Sequence, residues 1–411
     1  MVSVSCCSQA IIPSFILPKR SGIVESTWPQ PDAVARAHSK KLIEHIGAAI
    51  DAAGGWISFA DYMREVLYAP GLGYYSAGAA KFGAAGDFVT APEISPLFGL
   101  CLASQCQDIF QQVDGNTIVE AGGGSGRLAA TILGELPQVD YVMADVSAEL
   151  RQRQAETISG QGVRQSNVRW VDGPDDLESF SGVLLANEVI DALPVELFVI
   201  SDGVVLAKGV RMRDGRFVAA TREAGAGLTA AVRRVEEVIG RALPDGYTAE
   251  IRPQLAHFIS AWAQKLQSGA MIFIDYGCSR AELYAPERHM GTLLCHYRHR
   301  AHSDPFVYPG LQDITAWVDF TAVAEAGVAA GLAVGGYATQ AHFLMASGIE
   351  QRYDELRRSG TDEQHLATLN GQLRRLMMPG EMGERFRVMA LTRGMDRKPA
   401  GFSFRDLSAS L

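Results

Sequence analysis

The stretch from Asn116 to Leu136 combines residue types that can hold a ligand close to the backbone. An apolar run, Ile118-Val119, ends at Glu120, and the sequence Ala-Gly-Gly-Gly-Ser-Gly follows before a helical pattern of leucine and isoleucine begins. Glycine lets the chain turn sharply and leaves no Cβ in the way of a ligand. The first N–H groups of a helix have no partner within it. The pattern therefore predicts a strand, a ligand-binding turn and a helix.

Two classes of cofactor fit this turn, and a plain βα turn without a ligand is the third alternative. The turn that binds S-adenosylmethionine (SAM) has an acid followed by glycines at alternate positions, here Glu120, Gly122, Gly124 and Gly126. Gly124, Gly126 and Ala129 also match the looser dinucleotide pattern, which an acid about twenty residues further on, Asp145, suits as well. The turn alone leaves the choice open.

Polar residues also follow the other strands that we predict. They are Asp145, Asp172, Asn187-Glu188 and Asp275-Tyr276. Ligands of open parallel sheets bind outside the carboxyl ends of the strands. Asp145 is placed to accept hydrogen bonds from two ribose hydroxyls. Asp172 is a further predicted cofactor contact, with a helix cap or an exit to solvent as its alternative.

The segment 187–198, NEVIDALPVELF, follows the fourth predicted strand. Glu188 and Asp191 are three residues apart and would share one face of a helix. Two carboxylates can hold a cation, and Asn187 can offer a carbonyl acceptor to a nucleophilic nitrogen. Acids that only favour the first turn of a helix are the alternative. We predict Asn187, Glu188 and Asp191 as catalytic residues.

The elements that must position these residues alternate between strand and helix. Apolar runs predict parallel strands at 139–145, 168–171, 182–186 and 270–274, and further strands at 333–337 and 386–392. Residues 197–222 alternate in polarity around Asp-Gly pairs at 202–203 and 214–215, which predicts antiparallel hairpins. Helices are predicted at 32–53 and from Ser58 onward, whereas residues 278–316 are predicted to be irregular.

Composition restricts the class of protein. The 411 residues, 47% hydrophobic and 20% charged, can form one large domain with insertions or two domains. A formal charge of -9 argues against a nucleic-acid partner, and no apolar run reaches membrane-spanning length. Six cysteines without a CxxC pair fit a reducing compartment. The N-terminus has no basic region and is a poor transit peptide, so we expect a cytoplasmic protein.

Histidines recur in the stretch from Cys295 to His302, at His296, His299 and His302. This spacing invites a metal site. Arginines between the histidines disfavour a bound cation, and no carboxylate lies in register. We therefore predict no metal and interpret this stretch as a basic loop over an acidic patch or over the site.

Several motifs together resemble the MidA-like methyltransferase family. They are GYYSAG (73–78), GDFVTAPEISPLFG (86–99), EAGGGSG (120–126), ANEVIDALPVELF (186–198), IDYG (274–277) and PGLQDITAWVDF (309–320). The mitochondrial members are arginine methyltransferases that assist the assembly of respiratory complex I. The chain departs from the family pattern at Gly123, where proline is usual, and at Trp317, where histidine is usual.

The resemblance implies an α/β, class I (Rossmann-like) seven-stranded SAM-dependent methyltransferase fold with a helical N-terminal region and an antiparallel hairpin insertion. We expect a flexible tail (1–30), a helical region with a lid loop (31–100), the SAM-binding domain (101–393) with an insertion at about 197–250, and a C-terminal tail (394–411). In the APEIS motif, Pro92 becomes a predicted cofactor contact and Glu93 a third catalytic acid.

The resemblance also implies SAM as cofactor and methylation of a protein substrate at an arginine, with a complex I subunit as the candidate and a homodimer as the candidate assembly. Two alternatives stay open. One is a SAM-binding assembly factor that acts by contact without turnover, which the acids after the fourth strand disfavour. The other is a nicotinamide-dependent oxidoreductase, for which no hydride-transfer site follows the fourth strand.

Overall fold

The computed structural model describes residues 29–76, 89–162, 167–360 and 362–411. Nearly all of the predicted N-terminal tail (1–30) lies outside the described residues, and so do residues 77–88 in the predicted lid loop. Within the described ranges, no helix is long and apolar enough to cross a membrane.

The N-terminal region is helical. Its elements are α1 (Ala33–Ala52), β1 (Ile57–Ser58), α2 (Phe59–Tyr68), α3 (Ala91–Ile94) and α4 (Pro96–Phe110). Asp32 and Ser58 cap α1 and α2, because their side chains accept hydrogen bonds from Ala35 N and Asp61 N at 2.8 and 3.1 Å. The predicted cap at Ser58 is thus confirmed.

Residues 117–187 alternate strands and helices, as the apolar runs predict. The elements are β2 (Thr117–Ala121), α5 (Arg127–Glu135), β3 (Asp140–Ala144), α6 (Ala148–Gly160), β4 (Val168–Val171) and β5 (Phe180–Asn187). The four strands are parallel to one another. The centres of β2, β3 and β5 are buried, which explains their continuous apolar sequence.

The insertion forms a second, antiparallel sheet. It contains β6 (Glu196–Ser201), β7 (Val204–Arg213), β8 (Arg216–Glu223), α7 (Ala226–Ile239) and β9 (Thr248–Ile251). Both Asp-Gly turns have left-handed backbones, with φ between 50° and 73°, which matches the twist of a two-residue hairpin. The short strand β1 pairs with β7 and so joins the N-terminal region to this sheet.

The rest of the chain returns to the central sheet. It contains α8 (Leu255–Ala263), β10 (Leu266–Cys278), α9 (Arg280–Leu283), β11 (Leu294–Tyr297), β12 (Arg300–His302), β13 (Asp313–Thr315), β14 (Val318–Asp319), α10 (Phe320–Ala329), β15 (Ala333–Thr339), α11 (Gln340–Ala346), α12 (Ile349–Ser359), α13 (Glu363–Met377), α14 (Met382–Arg385) and β16 (Phe386–Arg393).

The central sheet has the order β4-β3-β2-β5-β10-β16-β15, and β14 lies beside β10. β10 is parallel to β5, whereas β16 is antiparallel to both of its neighbours. This order confirms the predicted class I, Rossmann-like fold. From β2 the chain adds β3 and β4 on one side of the sheet, and it then crosses to β5 on the other side of β2. Open α/β sheets bind ligands at such a switch point. The Gly-rich turn and Asn187 both lie there.

Two segments are more regular than expected. Residues 278–316, predicted to be irregular, contain the small sheet β12-β11-β13, whose hairpin turns at Arg298 and His299 with φ of 47° and 61°. The expected C-terminal tail, residues 394–411, instead packs on the domain. Phe402 is 3% exposed and contacts Phe343, and Leu407 N donates to the Tyr337 carbonyl. Burial of its few apolar side chains fixes this segment.

Candidate active site

The Gly-rich turn joins β2 to α5 at the switch point. Gly122, Gly124 and Gly126 have φ of 68°, 52° and 81°, a left-handed backbone that other residues rarely adopt. A Cβ at Gly126 would lie 2.8 Å from Gln154 Cα, so α6 approaches the turn closely. Gly122 N donates to the Ala144 carbonyl and fixes the turn to the end of β3. The predicted turn is thus a rigid cradle of backbone.

A small cavity of about 40 Å³ lies between this turn and α3. Its lining includes Pro92, Glu93, Glu120 and Asn187 together with the turn. The Ser125 hydroxyl donates to Glu93 across it. Pockets for whole small molecules enclose roughly 300–1,000 Å³. A nucleotide-sized cofactor on this turn therefore needs α3 to move outward, or else extends into the open groove beside it.

Glu120 forms the floor of the cavity and is 4% exposed. Its carboxylate accepts a hydrogen bond from the Tyr141 hydroxyl at 2.8 Å. Burial raises the pKa of Glu120 to about 7, while that hydrogen bond opposes the shift. Near neutral pH the carboxyl group of Glu120 can therefore either accept or donate a hydrogen bond.

The acids after β3 and β4 differ in their surroundings. Asp145 accepts hydrogen bonds from Ser147 N at 2.9 Å and from Gln154 Nε2 at 3.0 Å, one on each carboxylate oxygen. A carboxylate can accept several hydrogen bonds, which is the basis for the predicted contact of Asp145 with ribose hydroxyls. Asp172 is 70% exposed and pairs with Arg151, at the rim of the site.

Asn187, Glu188 and Asp191 lie where β5 ends, beside the cavity. The segment after Asn187 forms turns and not the helix that we considered. Glu188 has φ of 53°, which is unusual for a non-glycine residue and common at functional sites. Asn187 Nδ2 donates to Glu188 Oε1 at 3.1 Å. Asn187 Oδ1 and Asp191 Oδ1 are buried and have no hydrogen-bond partner among the described residues.

Asp275 and Asp313 join this group, and we name Glu188, Asp191, Asp275 and Asp313 the acid cluster. Asp275 Oδ2 accepts from Ile190 N at 3.0 Å and Asp191 N at 3.1 Å, so it holds the turn that carries the predicted catalytic acids. Ala316 N donates to the Asp191 carbonyl at 3.1 Å and brings the strand of Asp313 alongside.

Three tyrosines surround the acid cluster. Tyr68 donates to the Ala192 carbonyl at 3.0 Å, and Tyr75 donates to Asp313 Oδ1 at 2.8 Å. Tyr276 forms a side-chain hydrogen bond with Asp191. Of this enlarged group, the sequence signalled only the strand end at Asp275-Tyr276. Asp313 and Tyr75 lie in the motifs PGLQDITAWVDF and GYYSAG, which predicted no role for them, and Tyr68 had no signal.

Arg252 carries a positive charge near the acid cluster, and this charge opposes the rise in the pKa values of Asp191 and Asp275. Burial, and then the negative charge of Asp191, raise the pKa of Glu188 to about 8, while hydrogen bonds from Asn187 and Ala91 oppose the shift. Burial also raises the pKa values of Asp191 and Asp275. The nearby Arg252 donates to the carbonyl oxygens of Asp191 and Trp317 at 3.0 and 2.6 Å. Within the described residues, neither Glu188 nor Asp191 forms an ion pair.

Two further sequence features are the histidine stretch, whose His296 lies opposite Asp313 in the pairing of β11 with β13, and Trp317. Within the described ranges, no group of three His, Cys, Asp or Glu side chains is arranged to hold a metal ion. His296 and His302 belong to the β11-β12 hairpin. Trp317 packs beneath Arg288, whose guanidinium carbon lies 4.3 Å from the ring centroid. Trp317, which stands where the family usually has histidine, also packs against a cluster formed mainly by apolar residues of the insertion.

Comparison with known proteins adds three similarities. The model of a family of S-adenosyl-L-methionine-dependent methyltransferases matches residues 101–338. A Burkholderia thailandensis protein crystallised with S-adenosyl-homocysteine is 42% identical, with a TM-score of 0.88 over 94% of this chain and 100% of that one. Protein arginine methyltransferase NDUFAF7, mitochondrial, of Danio rerio is 30% identical over 408 residues, 89% of this chain and 90% of that protein.

Proposed function

Because this chain belongs to the family of SAM-dependent methyltransferases, we propose that it transfers the methyl group of SAM to a guanidinium nitrogen of an arginine in a protein substrate. SAM is its cofactor, and the resemblance to the MidA-like family is confirmed. The arginine, the protein substrate and its identity as a complex I subunit are the proposed part. The names of the NDUFAF7 relatives support the first two.

The observation that carries the proposal is the position of the acid cluster next to the cofactor turn. Asn187 lines the cavity at that turn and is followed directly by Glu188. An ionised carboxylate is costly to bury unless it is paired, and groups with strongly shifted pKa values cluster at functional sites. A guanidinium is planar, always charged and suited to bidentate contacts with carboxylates. A bound arginine would satisfy Asp191 Oδ1 and would lie beside the cofactor.

The residues can then do three things for the reaction. SAM supplies an electrophilic methyl group. Glu188 and Asp191 would accept hydrogen bonds from two guanidinium nitrogens and orient the third toward the cofactor turn. Alignment of this kind can lower a barrier by roughly 7–11 kcal/mol. Asn187 Oδ1, a buried acceptor without a partner, can bind an N–H of the attacking nitrogen.

One proton must leave the nitrogen that gains the methyl group, because the product would otherwise carry two charges. Glu188 is the group suited to accept it. A general base works best with a pKa near the working pH, and burial raises the pKa of Glu188 to about 8. The fixed turn over residues 188–191 keeps this carboxyl in place.

Labelling tests the proposal directly. The purified chain is incubated with SAM labelled in the methyl group and with lysate of its own host, and the labelled protein is hydrolysed for amino-acid analysis. We expect label in methylarginine. Label only in methyllysine or methyl esters contradicts the arginine assignment. SAM binding without any labelled protein favours the assembly factor that acts by contact.

The compartment is a separate part of the proposal. Cys101, Cys106, Cys278 and Cys295 are free and buried in the described structure. Free thiols fit a reducing compartment, and we propose the cytoplasm. Fractionation of host cells, with immunodetection of the chain, tests this placement.

A further inference from the structure

Asp313 reaches the acid cluster from a distant part of the chain and is held by the N-terminal region. It begins β13 and is 3% exposed. Its Oδ1 accepts the Tyr75 hydroxyl at 2.8 Å, across 238 residues of sequence. The Tyr75 ring stacks on Tyr68 with centroids 5.5 Å apart. Tyr68 in turn donates to the carbonyl of Ala192, next to Asp191.

A purely structural role explains this arrangement poorly. An apolar pair, or a tyrosine on a backbone carbonyl, would join the two regions without burying a charge. Tyr62 does this nearby, because its hydroxyl donates to the Pro305 carbonyl at 2.9 Å. Asp313 instead adds negative charge beside Glu188, and that charge raises the pKa of Glu188 further. This additional negative charge lies near Asp191, whose Oδ1 has no hydrogen-bond partner among the described residues.

We propose that Asp313 is a third substrate-binding carboxylate of the acceptor pocket and that Tyr75 is the residue that positions it. This inference rests on the proposed arginine specificity. A lysine ammonium has three donors, which Glu188 and Asp191 can satisfy together. A guanidinium has five donors in a plane and needs further acceptors around its edge. Asp313 supplies them, so the N-terminal region completes the pocket and favours guanidinium over ammonium.

The test compares Asp313→Asn and Tyr75→Phe with the control Tyr62→Phe. The control removes a hydroxyl that also links α2 to the 300–315 segment but that contacts no member of the acid cluster. The probes are N-acetyl-arginine amide and N-acetyl-lysine amide, each as a competitor of methylation of the labelled lysate protein. The ratio of the two inhibition constants measures the preference for guanidinium.

We expect the wild type and Tyr62→Phe to prefer the arginine probe about tenfold or more, as charge-assisted contacts allow. Asp313→Asn should lose most of this preference and raise KM more than it lowers kcat, and Tyr75→Phe should show the same change to a smaller degree. Asp313→Asn should also move the rising limb of kcat/KM to lower pH, because removal of a negative charge lowers the pKa of Glu188.

An unchanged preference and an unchanged pH limb in Asp313→Asn would overturn the inference while methylarginine still forms. If Asp313→Asn fails to fold, Tyr75→Phe decides, and a wild-type preference there overturns the inference. A wild type that labels no arginine overturns the proposed function first, and this inference with it.

Discussion

Two groups of acids lie near the carboxyl end of β10, and they differ in how their negative charge is compensated. The acid cluster includes Asp275 of this strand, and the nearby Arg252 donates to the backbone carbonyl of Asp191, while Glu188 and Asp191 form no ion pair within the described residues. Five residues later, Arg280 is 5% exposed and lies between Asp319 and Glu325. It donates to Asp319 Oδ2 at 2.8 Å and to both oxygens of Glu325 at 3.0 and 2.6 Å. The Arg280 guanidinium is bound by carboxylates, whereas the guanidinium near the acid cluster, that of Arg252, donates to backbone carbonyls.

The Arg280 site supports the proposal that the acid cluster binds a guanidinium. The Arg280 site shows how this chain satisfies a guanidinium, with one bidentate carboxylate and a second on Nε. Such a pair stabilises only when both signs are present. The acid cluster lies at the switch point beside the cofactor turn, and its Asp191 Oδ1 has no hydrogen-bond partner among the described residues. It therefore resembles the Arg280 site with the arginine supplied by another molecule.

The largest expected loss of stability comes from removal of Arg280, the arginine that is paired with Asp319 and Glu325. Arg280→Met would leave Asp319 buried without its cation, and we expect the free energy of unfolding to fall by about 3 kcal/mol, at the low end for a buried pair because Glu325 is 46% exposed. Urea unfolding measures this. The triple variant with Asp319→Asn and Glu325→Gln should recover part of the loss. No loss in Arg280→Met would mean that the pairing is not structural.

Neutralisation of an acid in the cluster should reduce catalysis and not the free energy of unfolding. Glu188→Gln keeps the shape of the side chain but removes its charge, so methyl transfer should fall about 10²–10³-fold, as for a lost transition-state contact. SAM affinity by calorimetry should stay near wild type. Adding Asp191→Asn should give less than the product of the two losses, because both acids would hold one cation.

Glu196→Gln is the matched control for this experiment. Glu196 is also a partly buried carboxylate whose pKa is raised by burial and whose Oε2 has no partner, but it lies in β6 next to Ser58. Its change should leave turnover near wild type. Wild-type turnover in Glu188→Gln would remove Glu188 from the mechanism and leave Asp191 and Glu93 to test.

Asp145 differs from both groups of acids, because its carboxylate accepts hydrogen bonds from the neutral donors Ser147 N and Gln154 Nε2. Asp145→Ala should weaken SAM binding by roughly 1–3 kcal/mol, the scale of hydrogen bonds to a charged acceptor. Asp140→Ala, at the exposed opposite end of β3, is the control and should bind SAM normally. Calorimetry on both folded variants decides. Equal affinities would show that Asp145 is not the ribose ligand.

The sequence predicted the cofactor side of the molecule better than the acceptor side. The Gly-rich turn, the helix caps and the Asp-Gly hairpins depend on residues within a few positions of one another, so local patterns reveal them. Glu188 and Asp191 were also visible because they follow a strand. Asp313 and Tyr75 lie in two of the family motifs, but their contact joins positions 238 residues apart, and no local pattern predicts it. Phe402 likewise lies in a segment without a period, and only tertiary packing shows its burial.

The last prediction concerns the pH dependence of folding stability, which can be measured without substrate. Burial raises the pKa of Glu188 to about 8 from an ordinary value of 4.5. A carboxyl group with a higher pKa in the folded state stabilises the fold while it is protonated, and this contribution is lost as the pH rises from about 4.5 to 8. Wild type should therefore lose stability over this range, and Glu188→Gln should not lose this contribution.

At pH 8–9 the inactive Glu188→Gln variant should thus be the more stable protein, by up to about 5 kcal/mol for the full shift, and near pH 5 the two should be alike. Thermal unfolding of both proteins across pH 5–9 measures the crossover. Asp319→Asn should behave in the opposite way and destabilise at every pH in this range, because it leaves Arg280 with one partner fewer. Equal pH dependence of wild type and Glu188→Gln would mean that Glu188 bears no buried charge in the free protein, and the contrast between the two acid groups near the carboxyl end of β10 would then fail.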